Sequence, residues 1–137
     1  YALALGVDLL LLDEPTNALD IQSKGVLKSL IVRNLSSDQT LIVATHTVSE
    51  LENLFEGAIM LSKSELLFAA TEEHITERLA FPVTSAPVED ALYSETQLGK
   101  YLNIVAAEGE ETRPDWRLLY SALYSPSKDK LLTIINS

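Results

Sequence analysis

The chain has 137 residues, of which 47% are hydrophobic and 22% are charged, a composition typical of a globular protein with one domain or one domain and a small appendage. Its formal net charge of −10 argues against a nucleic-acid-binding protein, because neutralising phosphates requires clustered Lys and Arg. It has no cysteine, which excludes disulfides and thiolate metal sites. Its apolar runs are shorter than the ~20 residues of a membrane-spanning helix.

The first residues, YALALG, lack the basic and long apolar regions of a signal peptide. YALAL is typical of the last turns of a helix, and Gly6 stands where a glycine can end that helix in the left-handed conformation. We therefore expect the chain to begin inside a structural element of a longer protein.

The next segment predicts a strand, a helix and a second strand. The apolar run from Val7 to Leu12 lacks period-two alternation, which is typical of a strand covered on both faces of a parallel sheet. Asp20 can cap a helix whose apolar residues recur at helical spacing, and Thr40 to His46 is a second buried strand. In such a unit Asp13 and His46 lie at the same edge of the sheet, where open α/β sheets bind ligands.

Shorter elements follow His46. Thr47 to Glu50 has the T-x-x-E pattern of a capping box and predicts a short helix that ends at Gly57. The apolar runs around Lys63 and Ser64 predict a hairpin, and the segment from Thr71 to about Leu79 predicts another short helix.

Beyond Phe81 the sequence predicts a small α+β appendage with short strands. An apolar stripe at helical spacing is interpreted as its core, with a partner-binding face as the alternative; it comprises Trp116, Leu119, Tyr120, Leu123 and Tyr124. His74, in the exposed first turn after Thr71, is interpreted as neither a metal ligand nor a catalytic residue. The acidic run Glu108 to Glu111 is interpreted as a solvated loop rather than as a cation site.

Two adjacent carboxylates, Asp13 and Glu14, end the first strand. Carboxylates beside an apolar wall require a cation or hydrogen bonds to compensate them. A metal-nucleotide site would provide that compensation, whereas the simpler alternative is a turn cap at Asp13 and a solvated Glu14.

The stretch LLLLDEPTNALD resembles the Walker B motif and D-loop of ABC-type ATPases. The later stretch LIVATHTVSELENLFEGAIMLSKSELLF resembles the H-loop strand of the same family and the helix and hairpin that follow it. The resemblance implies an α/β fold in residues 1–80, namely part of a P-loop NTPase domain with a RecA-like parallel sheet, flanking helices and a hairpin. Residues 81–137 would form a small α+β C-terminal extension.

The resemblance also implies a role for each matching residue. Asp13 would coordinate Mg²⁺ through water, Glu14 would act as general base, and His46 would be the switch histidine at the γ-phosphate of ATP. Asn17 and Asp20 would belong to the D-loop, which in this family contacts the nucleotide site of a second ATPase domain.

The chain departs from the family in one major respect. None of its five glycines lies in a G-x-x-x-x-G-K-[ST] pattern, so the Walker A loop is absent, and so is the glycine-rich signature segment. Both precede Walker B in the family. We therefore expect the chain to be the C-terminal half of an ATPase subunit and to be inactive alone.

Among ABC-type proteins, the residues after His46 are most similar to multidrug and antibiotic exporters. The expected partners are the missing N-terminal half, a second ATPase subunit and membrane-spanning permease subunits, with no nucleic acid. The expected location is cytoplasmic, at the inner face of the cell membrane. The alternatives are a catalytically inactive interaction or regulatory fragment and a soluble ABC protein of the translation-factor type.

Overall fold

The computed structural model describes residues 6–109 and 112–137, which form two compact units, one ending at Leu51 and the other beginning at Glu52. The predicted helix YALAL and the end of the acidic run, Glu110 and Glu111, lie outside the described residues. Gly6 has a φ of +62°, the left-handed conformation expected of it.

The first unit contains strand β1 (Leu9–Asp13), helix α1 (Ile21–Asn34) and strand β2 (Thr40–Ala44), as the sequence predicts. The two strands pair in parallel from Leu9 opposite Thr40 to Asp13 opposite Ala44. Helix α1 begins where expected, because the Asp20 carboxylate accepts a hydrogen bond from the Ser23 N–H at 2.7 Å.

In the described residues these two strands are covered on one face only. Leu9 and Leu11 are 52% and 65% exposed, and Ile42, the register partner of Leu11, is 43% exposed. The alternate residues Leu10 and Leu12 are half-buried. An unbroken apolar run indicates that a strand can be covered on both faces, but the covering layer must come from other elements.

The prediction of a single capped helix after His46 is wrong. Two 3₁₀ turns, Val48–Glu50 and Glu52–Leu54, take its place. The Thr47 side chain makes no capping hydrogen bond; instead the Thr47 N–H donates to Thr45 Oγ1 at 3.0 Å. Without that cap the segment does not continue as an α-helix, and Gly57 becomes the first residue of a strand.

The second unit opens with the predicted hairpin. Strands β3 (Gly57–Ser62) and β4 (Glu65–Thr71) pair antiparallel, and the two turn residues between them have φ values of +48° and +65°. Helix α2 (Glu72–Thr76) is capped by Thr71, whose hydroxyl accepts from the His74 N–H. It ends earlier than predicted because Leu79–Ala80 forms a strand, β5.

The longest strand of the appendage, β8 (Lys100–Ala106), pairs antiparallel with β5, β6 (Val83–Thr84) and β7 (Tyr93–Gln97). Asn103 of β8 is fully buried. Its amide nitrogen donates to Pro82 O, Thr84 Oγ1 and Tyr101 O, and its amide oxygen accepts from the Ser94 hydroxyl at 2.6 Å. Because every polar atom of its side chain has a partner, Asn103 holds these strands together without an unsatisfied buried group.

Helices α3 (Trp116–Ala122) and α4 (Lys128–Ile135) complete a mixed α/β architecture with small sheets and, in the described ranges, four α-helices. Of the apolar stripe, Trp116, Leu119 and Leu123 are buried as a core should be, whereas Tyr124 is 62% exposed. The other buried apolar residues of this unit include Phe68, Ile75, Leu79, Ile104, Leu118, Leu131 and Ile135. Over residues 6–109 and 112–137 there is no helix with the length and apolar character needed to span a membrane.

Candidate active site at the ends of the parallel strands

The C-terminal ends of β1 and β2 bring together the residues that the sequence singles out. The Glu14 N–H extends the strand ladder by donating to Ala44 O at 2.8 Å. The chain then turns sharply, and Glu14 takes a φ of +44°, which is unusual for a residue with a side chain. This turn directs the Glu14 carboxylate towards the residues that follow β2.

Three donors hold the Glu14 carboxylate. Oε1 lies 2.6 Å from Nδ1 of His46 and accepts from the His46 main-chain N–H at 3.1 Å, and Oε2 accepts from the Thr45 hydroxyl at 3.1 Å. The hydrogen bond to the His46 ring, followed by those of Thr45 and the His46 main chain, lowers the pKa of Glu14 below its ordinary value, although partial burial acts in the opposite direction. Glu14 is therefore a carboxylate at neutral pH, with both oxygens oriented.

This contact also defines the orientation of His46. Because a carboxylate accepts, Nδ1 carries the proton that it shares with Glu14, and Nε2 is left for a second partner. The His46 side chain is 70% exposed, so Nε2 can reach a bound ligand. The arrangement pairs a fixed carboxylate with an accessible imidazole.

Asp13 is exposed beside this pair. In the part of the chain that the structure describes, no group of three or more His, Cys, Asp or Glu residues could enclose a metal ion. Mg²⁺ at nucleotide sites usually keeps several waters and needs only one or two carboxylates besides the substrate phosphates. The oxygen donors here therefore fit a hydrated Mg²⁺ held jointly with a phosphate, and they do not fit a closed protein-only metal site.

The predicted D-loop is a compact turn. The Asn17 N–H donates to Glu14 O at 3.0 Å, the Leu19 N–H donates to Thr16 O at 3.2 Å, and Ala18 has a φ of +62°. Asn17 is exposed. Asp20 caps α1, and the Ser23 main-chain N–H lowers the pKa of its carboxyl. Asn17 is thus available to a partner, whereas one Asp20 oxygen is already engaged in the cap.

Sequence reasoning missed the contacts of three residues of this region, namely Lys24, Thr45 and Glu50. Thr45 has a recognisable signal, a hydroxyl directly before the histidine at the end of an apolar strand. Lys24 and Glu50 form an ion pair across 26 positions of sequence, and no local pattern predicts such a pair.

His74 makes a contact that the sequence does not predict. Its Nε2 lies 2.6 Å from the main-chain oxygen of Ile135, at the end of α4. This contact links α2 to the C-terminal helix.

Three known proteins that are similar to this chain are named as ATP-binding proteins of transport systems. It is 37% identical over 62 residues, 45% of its length, to a protein of Clostridium acetobutylicum whose name places it among ABC transporter ATP-binding proteins. It is 30% identical over 79 residues to the energy-coupling factor transporter ATP-binding protein EcfA2 of Streptococcus thermophilus, and 28% identical over 98 residues to the molybdate import ATP-binding protein MolC of Haemophilus influenzae. These matches cover 58% and 69% of this chain.

The matched segments span 26%, 28% and 39% of the three relatives, so the chain corresponds to less than half of each. No family model matches the chain. The resemblance to ATP-binding proteins of ABC transporters, predicted from the motifs of residues 9–68, is confirmed by these relatives.

Proposed function

We propose that this chain is part of the ATP-hydrolysing subunit of an ABC transporter. The observation that supports the proposal most directly is the Glu14 carboxylate, which is held by the His46 ring and the Thr45 hydroxyl at the end of two parallel strands. Ligands of open α/β sheets bind at this edge.

The chemistry of the site suits the hydrolysis of a phosphoanhydride. A water whose proton moves to Glu14 would form a bond to the γ-phosphorus of ATP as the bond to the β–γ bridging oxygen breaks, giving ADP and phosphate. His46 Nε2 would contact a γ-phosphate oxygen and keep Glu14 and the water aligned. Asp13 would hold the waters of Mg²⁺, which supplies charge neutralisation when bound.

Under this proposal, the other parts that ATP hydrolysis and transport require would come from outside these 137 residues. A Walker A loop would come from the N-terminal half of the ATPase domain, and Asn17 and Asp20 would face the nucleotide site of a second ATPase subunit. Permease subunits would hold the assembly at the inner, cytoplasmic face of the cell membrane. Export is the direction that the resemblance favours, although the names of relatives include molybdate import. ATP-driven accumulation of the cargo inside inverted membrane vesicles is expected, and ATP-driven loss would contradict export.

The decisive experiment replaces Glu14 with Gln in the complete ATPase subunit, assembled with its partners. We expect turnover to fall by roughly 10²-fold or more, because the amide cannot accept the proton of the water. Asp38→Asn is the matched control, since Asp38 is exposed in the loop after α1. ATP hydrolysis that continues at the normal rate in Glu14→Gln would overturn the proposed role.

An inactive interaction fragment is the second candidate. In that case the complete protein would lack a Walker A loop and would bind partner subunits without turning over ATP. Steady-state hydrolysis by the complete protein separates the two candidates.

A further inference from the structure

The Thr45 hydroxyl makes a second hydrogen bond besides the one that it gives to Glu14. Thr45 follows strand β2 directly, and its Oγ1 accepts from the Thr47 main-chain N–H at 3.0 Å. The same Oγ1 lies 3.1 Å from Glu14 Oε2. A threonine hydroxyl has one proton to donate. Because a main-chain N–H only donates and a carboxylate only accepts, that proton lies on the side of Glu14 Oε2.

The two oxygens of the Glu14 carboxylate are occupied to different degrees. Oε1 accepts from the His46 ring at 2.6 Å and from the His46 main-chain N–H at 3.1 Å. Each oxygen of an ionised carboxylate offers about two acceptor sites, so these two donors fill Oε1. Within the part of the chain that the structure describes, Oε2 has one donor, Thr45. One acceptor site of Oε2 is therefore open, and the Glu14 side chain is 29% exposed, so a water can reach it.

We propose that Glu14 Oε2 is the oxygen that receives the proton of the attacking water, and that Thr45 is the positioning residue that holds this oxygen in place. The inference rests on the proposed function, in which Glu14 is the general base. The water oxygen forms the bond to the γ-phosphorus of ATP and its proton passes to Oε2, while the electron pair of the breaking bond leaves on the bridging oxygen of ADP. Glu14 then releases the proton to solvent. Thr45 acts through Glu14 and transfers no proton itself.

The Thr45 hydroxyl removes a rotation that the contact with His46 leaves free. The last side-chain torsion of a glutamate has a broad energy profile, so a carboxylate held at one oxygen can still turn about the bond that carries it. His46 holds Oε1, and Thr45 holds Oε2. The open acceptor site of Oε2 then points in one direction, and the water that occupies it is aligned for attack. Alignment of this kind raises the rate of the chemical step rather than the affinity for ATP.

The test measures kcat and KM for ATP, per folded molecule, in the complete subunit with its partners. Thr45→Val keeps the shape of the side chain without its hydroxyl, and it should lower kcat roughly tenfold with little change in KM. Thr45→Ser keeps the hydroxyl and should retain most of kcat. Thr40→Val is the matched control, because Thr40 is an exposed residue at the other end of the same strand. Equal losses of kcat in Thr45→Val and Thr45→Ser would overturn the role of the hydroxyl, and so would a change confined to KM.

A double variant tests whether Thr45 acts through Glu14. The single-turnover rate of Glu14→Gln combined with Thr45→Val should equal that of Glu14→Gln alone, because an amide cannot receive the proton however well it is held. A further loss in the double variant would show that Thr45 acts by another route and would overturn the proposal. Where Thr45→Val fails to fold, Thr45→Ala is compared with Thr45→Ser, since these two variants differ by the hydroxyl alone. The same kcat in both would then contradict the positioning role.

The two proposals fail in different ways. If Glu14→Gln abolishes turnover while Thr45→Val behaves like Thr40→Val, Thr45 has no positioning role and the proposed function stands. If Glu14→Gln hydrolyses ATP normally, both proposals fall.

Discussion

At the scale of single residues, the Glu14–His46 contact constrains both partners. His46 stabilises the ionised form of Glu14, and the Glu14 carboxylate keeps the Nδ1 proton of His46 on the side facing it. A change at either residue therefore alters the chemistry available to the other. Thr45 limits the freedom of the second carboxylate oxygen, so that the pair has one defined geometry.

Because of this coupling, the pKa of Glu14 reports whether its contact with His46 is intact. Replacing His46 with Ala should raise the pKa of Glu14 towards its ordinary value, because the largest of the hydrogen bonds that lower it is lost. Carboxyl chemical shifts of Glu14 followed through an acid titration would measure the change. His74→Gln is the matched control, because that ring contacts Ile135 O and should leave the pKa of Glu14 unchanged.

The sign of the accompanying stability change follows from the same shift. A carboxyl whose pKa is lowered by folding stabilises the native state above its unfolded-state pKa, and this contribution disappears as the pH falls through the folded-state pKa. His46→Ala should therefore lower the free energy of unfolding at neutral pH and should have little effect on it in strong acid. If the free energies of unfolding of the unmodified protein and of His46→Ala changed with pH in the same way, His46 would not be what lowers the pKa of Glu14.

At the scale of elements, replacing glycine with alanine is expected to have opposite effects on stability at Gly57 and at Gly25. A Cβ at Gly57 would lie 2.8 Å from Ala70 O, a main-chain atom of the facing strand, whereas a Cβ at Gly25 would meet nothing within 4 Å. Gly57→Ala should destabilise by about 1–3 kcal/mol because β3 and β4 must separate. Gly25→Ala should stabilise α1 by about 0.5–1 kcal/mol.

Urea unfolding measures both effects. The chain has one tryptophan, Trp116, so its fluorescence reports the unit that contains Gly57. Far-UV circular dichroism follows the helices, of which α1 is the longest among the described residues. A Gly57→Ala protein as stable as the unmodified one would mean that the strands approach less closely than the structure indicates.

The elements also differ in how far sequence alone predicts them. The cap at Asp20 and the turn at Lys63 and Ser64 depend on neighbouring residues, and both were predicted correctly. The capping box after His46 failed because the Thr45 hydroxyl takes the Thr47 N–H, a competition that the T-x-x-E pattern does not contain. Asp13 and His46 could be placed at one sheet edge from topology, whereas the Glu50 ion pair depends on tertiary structure.

At the scale of the whole molecule, the two units bury their apolar residues very differently. The second unit encloses a core that includes Ile75, Leu119 and Leu131, each 0% exposed. In the described part of the first unit, large apolar side chains lie on the surface instead, among them Leu11 at 65%, Ile21 at 91% and Val32 at 64%. Exposed apolar area of this kind favours association.

This difference predicts that the chain self-associates when it is prepared by itself. Leu11 and Ile42 are exposed register partners on one face of the β1–β2 pair, so a second molecule can cover both side chains at once. Static light scattering should show a mass that rises with concentration, and Leu11→Thr with Ile42→Thr should reduce that rise. Leu12→Thr, on the half-buried opposite face, should lower stability without the same gain in solubility. A mass that stays at 15.1 kDa at every concentration would contradict the prediction, because the open strand face would then have no measurable tendency to pair.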